Sequence, residues 1–102
     1  MYTVHKIAEM LDYQTGSIVS RLVLDKPAGS VTLFAFDSGQ GLSEHTAPFD
    51  ALVQVLEGKL SVRVSGHDHE VAAGELIVMA AGEPHALKAT VRAKMILTMV
   101  KT

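Results

Sequence analysis

Two histidines, separated by forty residues, are the side chains best suited to chemistry in this chain. His45 ends a polar, glycine-rich stretch, GQGLSEH, that leads into the apolar segment 51–56, and His85 follows Gly82-Glu83-Pro84 at the head of a second apolar segment. An imidazole held at the mouth of a buried strand can bind a metal ion or transfer a proton. Because the chain has no cysteine, any metal ion would need histidine, carboxylate or water as its ligands.

The other candidate ligands fit structural positions better. His67 and His69 flank Asp68 in a predicted hairpin, where solvated side chains are more common than metal clusters. His5 lies in a predicted N-terminal helix and is expected at the surface. Three methionines are interpreted as side chains that fill the core, namely Met79, Met95 and Met99.

Length and composition limit what can position these histidines. A chain of 102 residues, of which 48% are hydrophobic and 20% charged, is expected to form one globular domain with a modest core. The net charge is -2 and the nine Lys and Arg residues are scattered, which argues against nucleic acid or anionic lipid as a partner. No apolar run is long enough to span a membrane, so a cytoplasmic protein is predicted.

Short strands separated by turns are predicted along most of the chain. Apolar residues at helical spacing between Val4 and Leu11 predict a short N-terminal helix that packs across one opening of the β-domain after it. Residues 1–16 would form this helix and its lead-in, residues 17–102 the β-domain, and residues 39–50 a loop. Eight strands with frequent turns are typical of an all-β sandwich or barrel. They are expected at residues 18–24, 31–36, 51–56, 60–64, 69–71, 76–80, 85–89 and 94–100.

Two motifs in residues 39–89 resemble those of the cupins. The first motif of that family carries two histidines, a glutamate and a glycine, and here His45 and Gly58 match while Ala47 and Ala51 stand at the other two positions. The second carries two glycines, a proline and a histidine. In that motif Gly74, Gly82 and His85 match, Ala80 replaces the proline, and Ala89 replaces a later asparagine.

The resemblance implies a cupin-type double-stranded β-helix, a jelly-roll barrel, with a short N-terminal helix. It also implies that His45 and His85 lie on adjacent strands, point into one cavity, and are the metal ligands. The ion would be a divalent transition metal, Fe, Mn, Ni, Zn or Cu. Its third ligand is left open between Asp50, Gln54, Glu44 and water, and alternation along a strand places Asp50 and Gln54 on the face opposite Ala51.

Three hypotheses for function remain open at this point. The barrel could bind a metal ion through an incomplete two-histidine site and catalyse a reaction such as an oxygenation or isomerisation. It could instead be a metal-free module that binds a small molecule in a roomier, apolar pocket floored by alanine and methionine. The third hypothesis is a regulatory barrel that acts as a homo-oligomer, with a homodimer expected because unpaired sheet edges favour association.

Overall fold

The structure is a computed structural model, and it describes residues 2–101. The elements are one 3-10 turn, Ile7–Glu9, and nine strands: β1 Ile18–Lys26, β2 Gly29–Phe36, β3 Gly41–His45, β4 Asp50–Glu57, β5 Lys59–Val64, β6 His67–Ala72, β7 Leu76–Met79, β8 His85–Lys88 and β9 Ala93–Val100. All the strand pairs are antiparallel. The prediction of an all-β fold is therefore confirmed.

The strands form two sheets that enclose the core. The large sheet has the order β1-β2-β9-β4-β7, and the small sheet has the order β3-β8-β5-β6. Alternate residues of each strand face the other sheet. The side chains buried between the sheets are mainly aliphatic: Phe36, Ala51, Val53, Val55, Leu60, Val62, Val71, Met79, Leu87, Ala89, Ala93 and Met95.

The strand β3 lies where the sequence predicted a loop. Its sequence, GLSEH, offers a single apolar residue, Leu42, and four of its five residues are exposed. It forms a strand because it pairs with β8 as the edge strand of the small sheet. The prediction of a loop over residues 39–50 was wrong here, because an exposed edge strand lacks the apolar alternation by which strands are recognised.

The predicted N-terminal helix is present only as the single 3-10 turn. Val4 is 97% exposed and Ile7 is 41% exposed, so the beginning of the predicted apolar face gains little from packing, and only Leu11 at its end is buried. Two carbonyls that a helix would use accept side-chain hydrogen bonds instead: the Lys94 ammonium donates to Ala8, and the Arg21 guanidinium donates to Met10. In residues 2–101, no helix has the length and apolar character needed to cross a membrane.

The N-terminal segment covers part of the outer face of the large sheet. Leu11 is buried against Leu33 and Ala35, which point away from the core, and Met10 and Tyr13 pack beside them. The Tyr13 hydroxyl donates to Glu57 over 2.7 Å, and burial together with this hydrogen bond raises the pKa of the phenol. The prediction that this segment packs across an opening of the barrel was therefore wrong: it lies on a sheet face.

Candidate functional site

His45 and His85 meet side by side on the inner face of the small sheet. They are register partners of β3 and β8, their ring centroids are 4.3 Å apart, and the ring planes are inclined at 68°. Leu87, two residues after His85, belongs to the core, and register partners share a face. Both imidazoles therefore point to the inside of the barrel at the end where β3 finishes and β8 begins.

An irregularity in β3 gives His45 this direction. Leu42 pairs with Leu87 on the inner face, and three residues later His45 pairs with His85, with a shift of register between the two pairs. In a regular strand, residues three apart point to opposite faces. The irregularity at residues 43–44 therefore turns His45 back to the inner face, which is a known use of β-bulges beside functional sites.

The two imidazoles are oriented in the same way by the backbone. Nδ1 of His45 lies 2.8 Å from the Ser43 carbonyl oxygen, and Nδ1 of His85 lies 3.1 Å from the Glu83 carbonyl oxygen. A carbonyl oxygen can only accept a hydrogen bond, so each Nδ1 carries a proton and donates it. In the neutral rings the free lone pair is then on Nε2, and metal-binding histidines are commonly oriented by such a hydrogen bond.

The two rings differ in their exposure to solvent. His85 is only 7% exposed, whereas His45 is exposed at the edge of the sheet. A ligand would therefore reach the pair from the β3 edge, past His45.

The proposed third ligands are not beside this pair. Asp50 and Gln54 alternate with the buried Ala51 and Val53, so they point away from the core, as the sequence predicted. The carboxylate of Asp50 accepts a hydrogen bond of 2.8 Å from the Ala81 N–H. Glu44 is exposed on β3. Among residues 2–101, no group of three or more His, Asp and Glu side chains is arranged to hold a metal ion.

A third histidine, which the sequence analysis placed in a solvated hairpin, lies on the same inner-face row. His85 pairs with Val64 of β5, and Val64 pairs with His67 of β6. His67 is thus two strands from His85, about 10 Å at the usual strand spacing. This position could have been predicted from the sequence. Leu60, Val62 and Val64 point inward, and the two-residue turn that follows them places the first residue of the next strand opposite Val64.

The wall facing the histidines is apolar. Ala51 is the register partner of both Met79 and Met99 on the inner face of the large sheet. The connections that join these residues to His45 and His85 leave the same end of the barrel, and they are tied by a hydrogen bond of 2.8 Å from the Gly82 N–H to the Ala47 carbonyl.

The alanines at the motif positions do not enlarge one common cavity. Ala51 lies at the histidine end, but Ala89 bonds to Gly39 and Gln40 at the opposite end of β8, and Ala80 is exposed. Methionine, leucine and phenylalanine side chains fill the space between the sheets. The expected apolar interior is present, and the expectation of a roomier one stays a prediction.

A groove of about 620 Å³ lies elsewhere, on the outer face of the small sheet. Arg63 and Asp68 line it and form a two-point ion pair, with N···O distances of 2.8 and 3.1 Å. Arg63 lowers the pKa of Asp68 through this pair. The charges of the groove are thus partly matched among its own residues, and the groove lies on the face opposite the two histidines.

The fold and the site define a class of protein: a two-sheet jelly-roll barrel with imidazoles at one end of its interior. The comparisons identify the family. The profile of the cupin domain matches residues 32–101, which is most of the chain. The chain belongs to the cupin family.

Solved structures agree with this assignment. A conserved protein of unknown function from Streptococcus pyogenes is 31% identical, with a TM-score of 0.94; the match covers 100% of this chain and 90% of that one. A cupin 2 conserved barrel domain protein from Leptotrichia buccalis is 42% identical, with a TM-score of 0.89, over 92% of this chain and 46% of that one. This chain therefore spans about half of the Leptotrichia protein.

A more distant structure supports the fold alone. A cupin superfamily protein from Desulfitobacterium hafniense is 19% identical, with a TM-score of 0.91, over 94% of this chain and 88% of that one. None of the curated proteins is similar enough in sequence to count as a match.

Proposed function

We propose that the protein binds one divalent transition metal ion through Nε2 of His45 and Nε2 of His85. The observation that supports this proposal is the common orientation of the two rings. Each Nδ1 donates to a backbone carbonyl two residues earlier, so both free lone pairs are on Nε2. A pair of imidazoles that pack together only to fill space does not require this arrangement in both rings.

The two imidazole nitrogens favour metal ions of intermediate hardness. Two neutral imidazole nitrogens suit copper, nickel and zinc, whereas manganese and magnesium prefer carboxylate and water oxygens. Because neither ligand carries a negative charge, the charge of the ion is not offset by the protein, and the affinity is expected in the micromolar range. Water or a small anionic molecule would complete the coordination sphere from the exposed side of His45.

Each part of the site has a role in this proposal. The carbonyls of Ser43 and Glu83 hold the rings, and the bulge in β3 keeps His45 on the inner face. The wall formed by Met79, Ala51 and Met99 limits water on the far side. A bound ion would supply Lewis acidity to a coordinated small molecule.

Isothermal titration of untagged protein with Cu²⁺, Ni²⁺ and Zn²⁺ tests the proposal. We expect one ion per chain, and at least about a tenfold loss of affinity in His45→Ala and in His85→Gln, because each removes one of two ligands. His85→Gln is chosen because His85 is buried and glutamine has a similar volume. His69→Ala is the matched control, an exposed histidine one row away, and it should bind like the parent.

Two results would reject metal binding at this site. One is a parent protein that binds none of the three ions. The other is a double variant, His45→Ala with His85→Gln, that binds as tightly as the parent. In the first case the same Nε2 lone pairs remain available to accept hydrogen bonds from a small hydroxyl- or amine-bearing molecule, which is the metal-free alternative.

A further inference from the structure

The groove of about 620 Å³ crosses the outer face of the small sheet obliquely, and we call it the outer groove. Its polar lining residues are Gln40, Ser43, Ser61, Arg63, Asp68 and Lys88. Because it extends from β3 to β6, across the spacings between four neighbouring strands, it is about 14 Å long. Its volume is in the range of sites that hold small organic molecules.

Two cationic side chains and one hydroxyl line the middle of the outer groove. Lys88 of β8 and Ser61 of β5 are register partners, and Arg63 lies two residues after Ser61 on the same face. Lys88 and Arg63 are therefore diagonal neighbours, about 7 Å apart, which is within reach of long side chains. An ammonium, a guanidinium and a hydroxyl are thus available around one point of the groove.

Both cations keep donors free for a ligand. Arg63 donates from Nε and from Nη2 to Asp68, which leaves the Nη1 group and the second N–H of Nη2 available. Lys88 forms no ion pair with a carboxylate in residues 2–101. The pKa of Arg63 is raised by Asp68 first and by Glu44 to a smaller extent, but Glu44 does not line the groove. Two cations and one carboxylate give the lining a net positive charge.

The space beside these donors is kept open by the backbone. Gly41 of β3 is the register partner of Lys88, and Ala86 of β8 is the register partner of Arg63. A Cβ atom at Gly41 would overlap the carbonyl oxygen of Leu87, so no side chain fits at this position. The opening next to Lys88 is therefore a fixed feature of the sheet.

We infer that the outer groove binds a small phosphate ester, with the phosphate group held by Lys88, Arg63 and Ser61. A phosphate group presents three acceptor oxygens and up to about two negative charges, which suit two cationic donors and a hydroxyl. The rest of the ligand lies towards Gln40 and Ser43, whose side chains can bind hydroxyl groups. The net charge of the chain is -2, which disfavours nucleic acids and anionic membranes as the source of the phosphate.

A titration with ribose 5-phosphate, followed by ¹H–¹⁵N NMR, tests the inference. EDTA is present, so that the histidine pair holds no metal ion. The amide signals of residues 40–43, 61–63 and 86–88 should shift, with a dissociation constant in the millimolar range or below. Ribose, which lacks the phosphate, should bind at least about tenfold more weakly, because the charge-assisted hydrogen bonds are lost. Inorganic phosphate should also bind more weakly than ribose 5-phosphate, because it makes no contact with Gln40 and Ser43.

Variants of the two cations locate the phosphate. Lys88→Gln and Arg63→Gln should each raise the dissociation constant at least about fivefold, since each removes one charged donor. Lys26→Gln is the matched control and should bind like the parent. Lys26 is also an exposed lysine without an ion pair in the part of the chain that the structure describes, but it lies at the end of β1 in the large sheet.

Three results would overturn the inference. The first is an unchanged affinity in both Lys88→Gln and Arg63→Gln. The second is a set of shifts confined to residues around His45 and His85, which would place the phosphate on the inner face. The third is inorganic phosphate that binds as tightly as ribose 5-phosphate, which would show that the groove takes up an ion only.

Discussion

At the scale of single residues, Gly58 is fixed by two independent requirements. Its φ is +67°, in the left-handed region that residues with a side chain avoid. A Cβ atom at this position would also overlap the carbonyl oxygen of Arg92. The glycine therefore permits both the turn from β4 to β5 and the close approach of the β8–β9 connection.

Gly58→Ala should lower the free energy of unfolding by at least about 2 kcal/mol, because left-handed backbone strain and steric overlap act together. Urea denaturation gives this value. Gly74→Ala is the control, since Gly74 has a φ of +86° but open space around it, and it should cost only the strain, about 1 kcal/mol. Equal losses in the two variants would show that the contact with Arg92 does not matter.

The candidate site could be predicted from the sequence only in part. Residue type and spacing identified His45 and His85, and alternation along β4 correctly placed Asp50 and Gln54 on the outer face. The inward direction of His45 was expected only from the resemblance to the cupins, because it depends on a register shift between Leu42 and His45 that no local pattern indicates. The carbonyl groups that orient the two rings could not be predicted either. Every residue has a carbonyl group, and only the folded structure brings those of Ser43 and Glu83 next to the imidazoles.

At the scale of elements, the strands rich in apolar residues were predictable and the polar edge strand β3 was not. β4 and β5 alternate buried and more exposed residues, and both were predicted close to their actual bounds. β3 is a strand only through its pairing with β8. The N-terminal segment depends on tertiary contacts as well: its carbonyls accept hydrogen bonds from Arg21 and Lys94, which are distant in sequence.

Asp37 ties the N-terminal lead-in to the end of the barrel. Its carboxylate accepts hydrogen bonds from the Gly16 N–H over 2.6 Å and from the Arg92 guanidinium over 2.8 Å. The backbone N–H of Gly16 first, and then Arg92, lower the pKa of Asp37. A carboxyl whose pKa is lowered by folding stabilises the fold above its unfolded pKa, and this stabilisation is lost as the pH falls through the folded pKa.

Asp37→Asn should therefore lower the melting temperature near neutral pH. The difference in melting temperature between parent and variant should narrow as the pH falls below about 4, where the carboxyl of the unfolded chain begins to be protonated, and should close as the pH falls through the lower pKa of the folded protein. Thermal denaturation followed by circular dichroism across this range measures the gap. Asp12→Asn, at an exposed acid in the same segment, is the control and should change the melting temperature little. A difference in melting temperature between the parent and Asp37→Asn that does not depend on pH would show that the charge of Asp37 does not stabilise the fold.

At the scale of the whole molecule, the outer faces of the two sheets differ in character. The outer face of the small sheet carries the charged residues Arg63, Asp68 and Lys88, so it is suited to contact with solvent. On the outer face of the large sheet, the N-terminal segment covers one half, and the other half mixes exposed apolar side chains with Asp50 and Gln54.

The measurement that tests the central claim most directly is the ¹⁵N NMR spectrum of the imidazole rings, recorded with and without Zn²⁺. Without metal, the account predicts that His45 and His85 both carry the proton on Nδ1 and have a free Nε2. With Zn²⁺, the Nε2 resonances of these two rings should shift together, while those of His67 and His69 stay in place. A proton on Nε2 of either ring in the metal-free protein, or no shift on adding Zn²⁺, would contradict the proposed metal site.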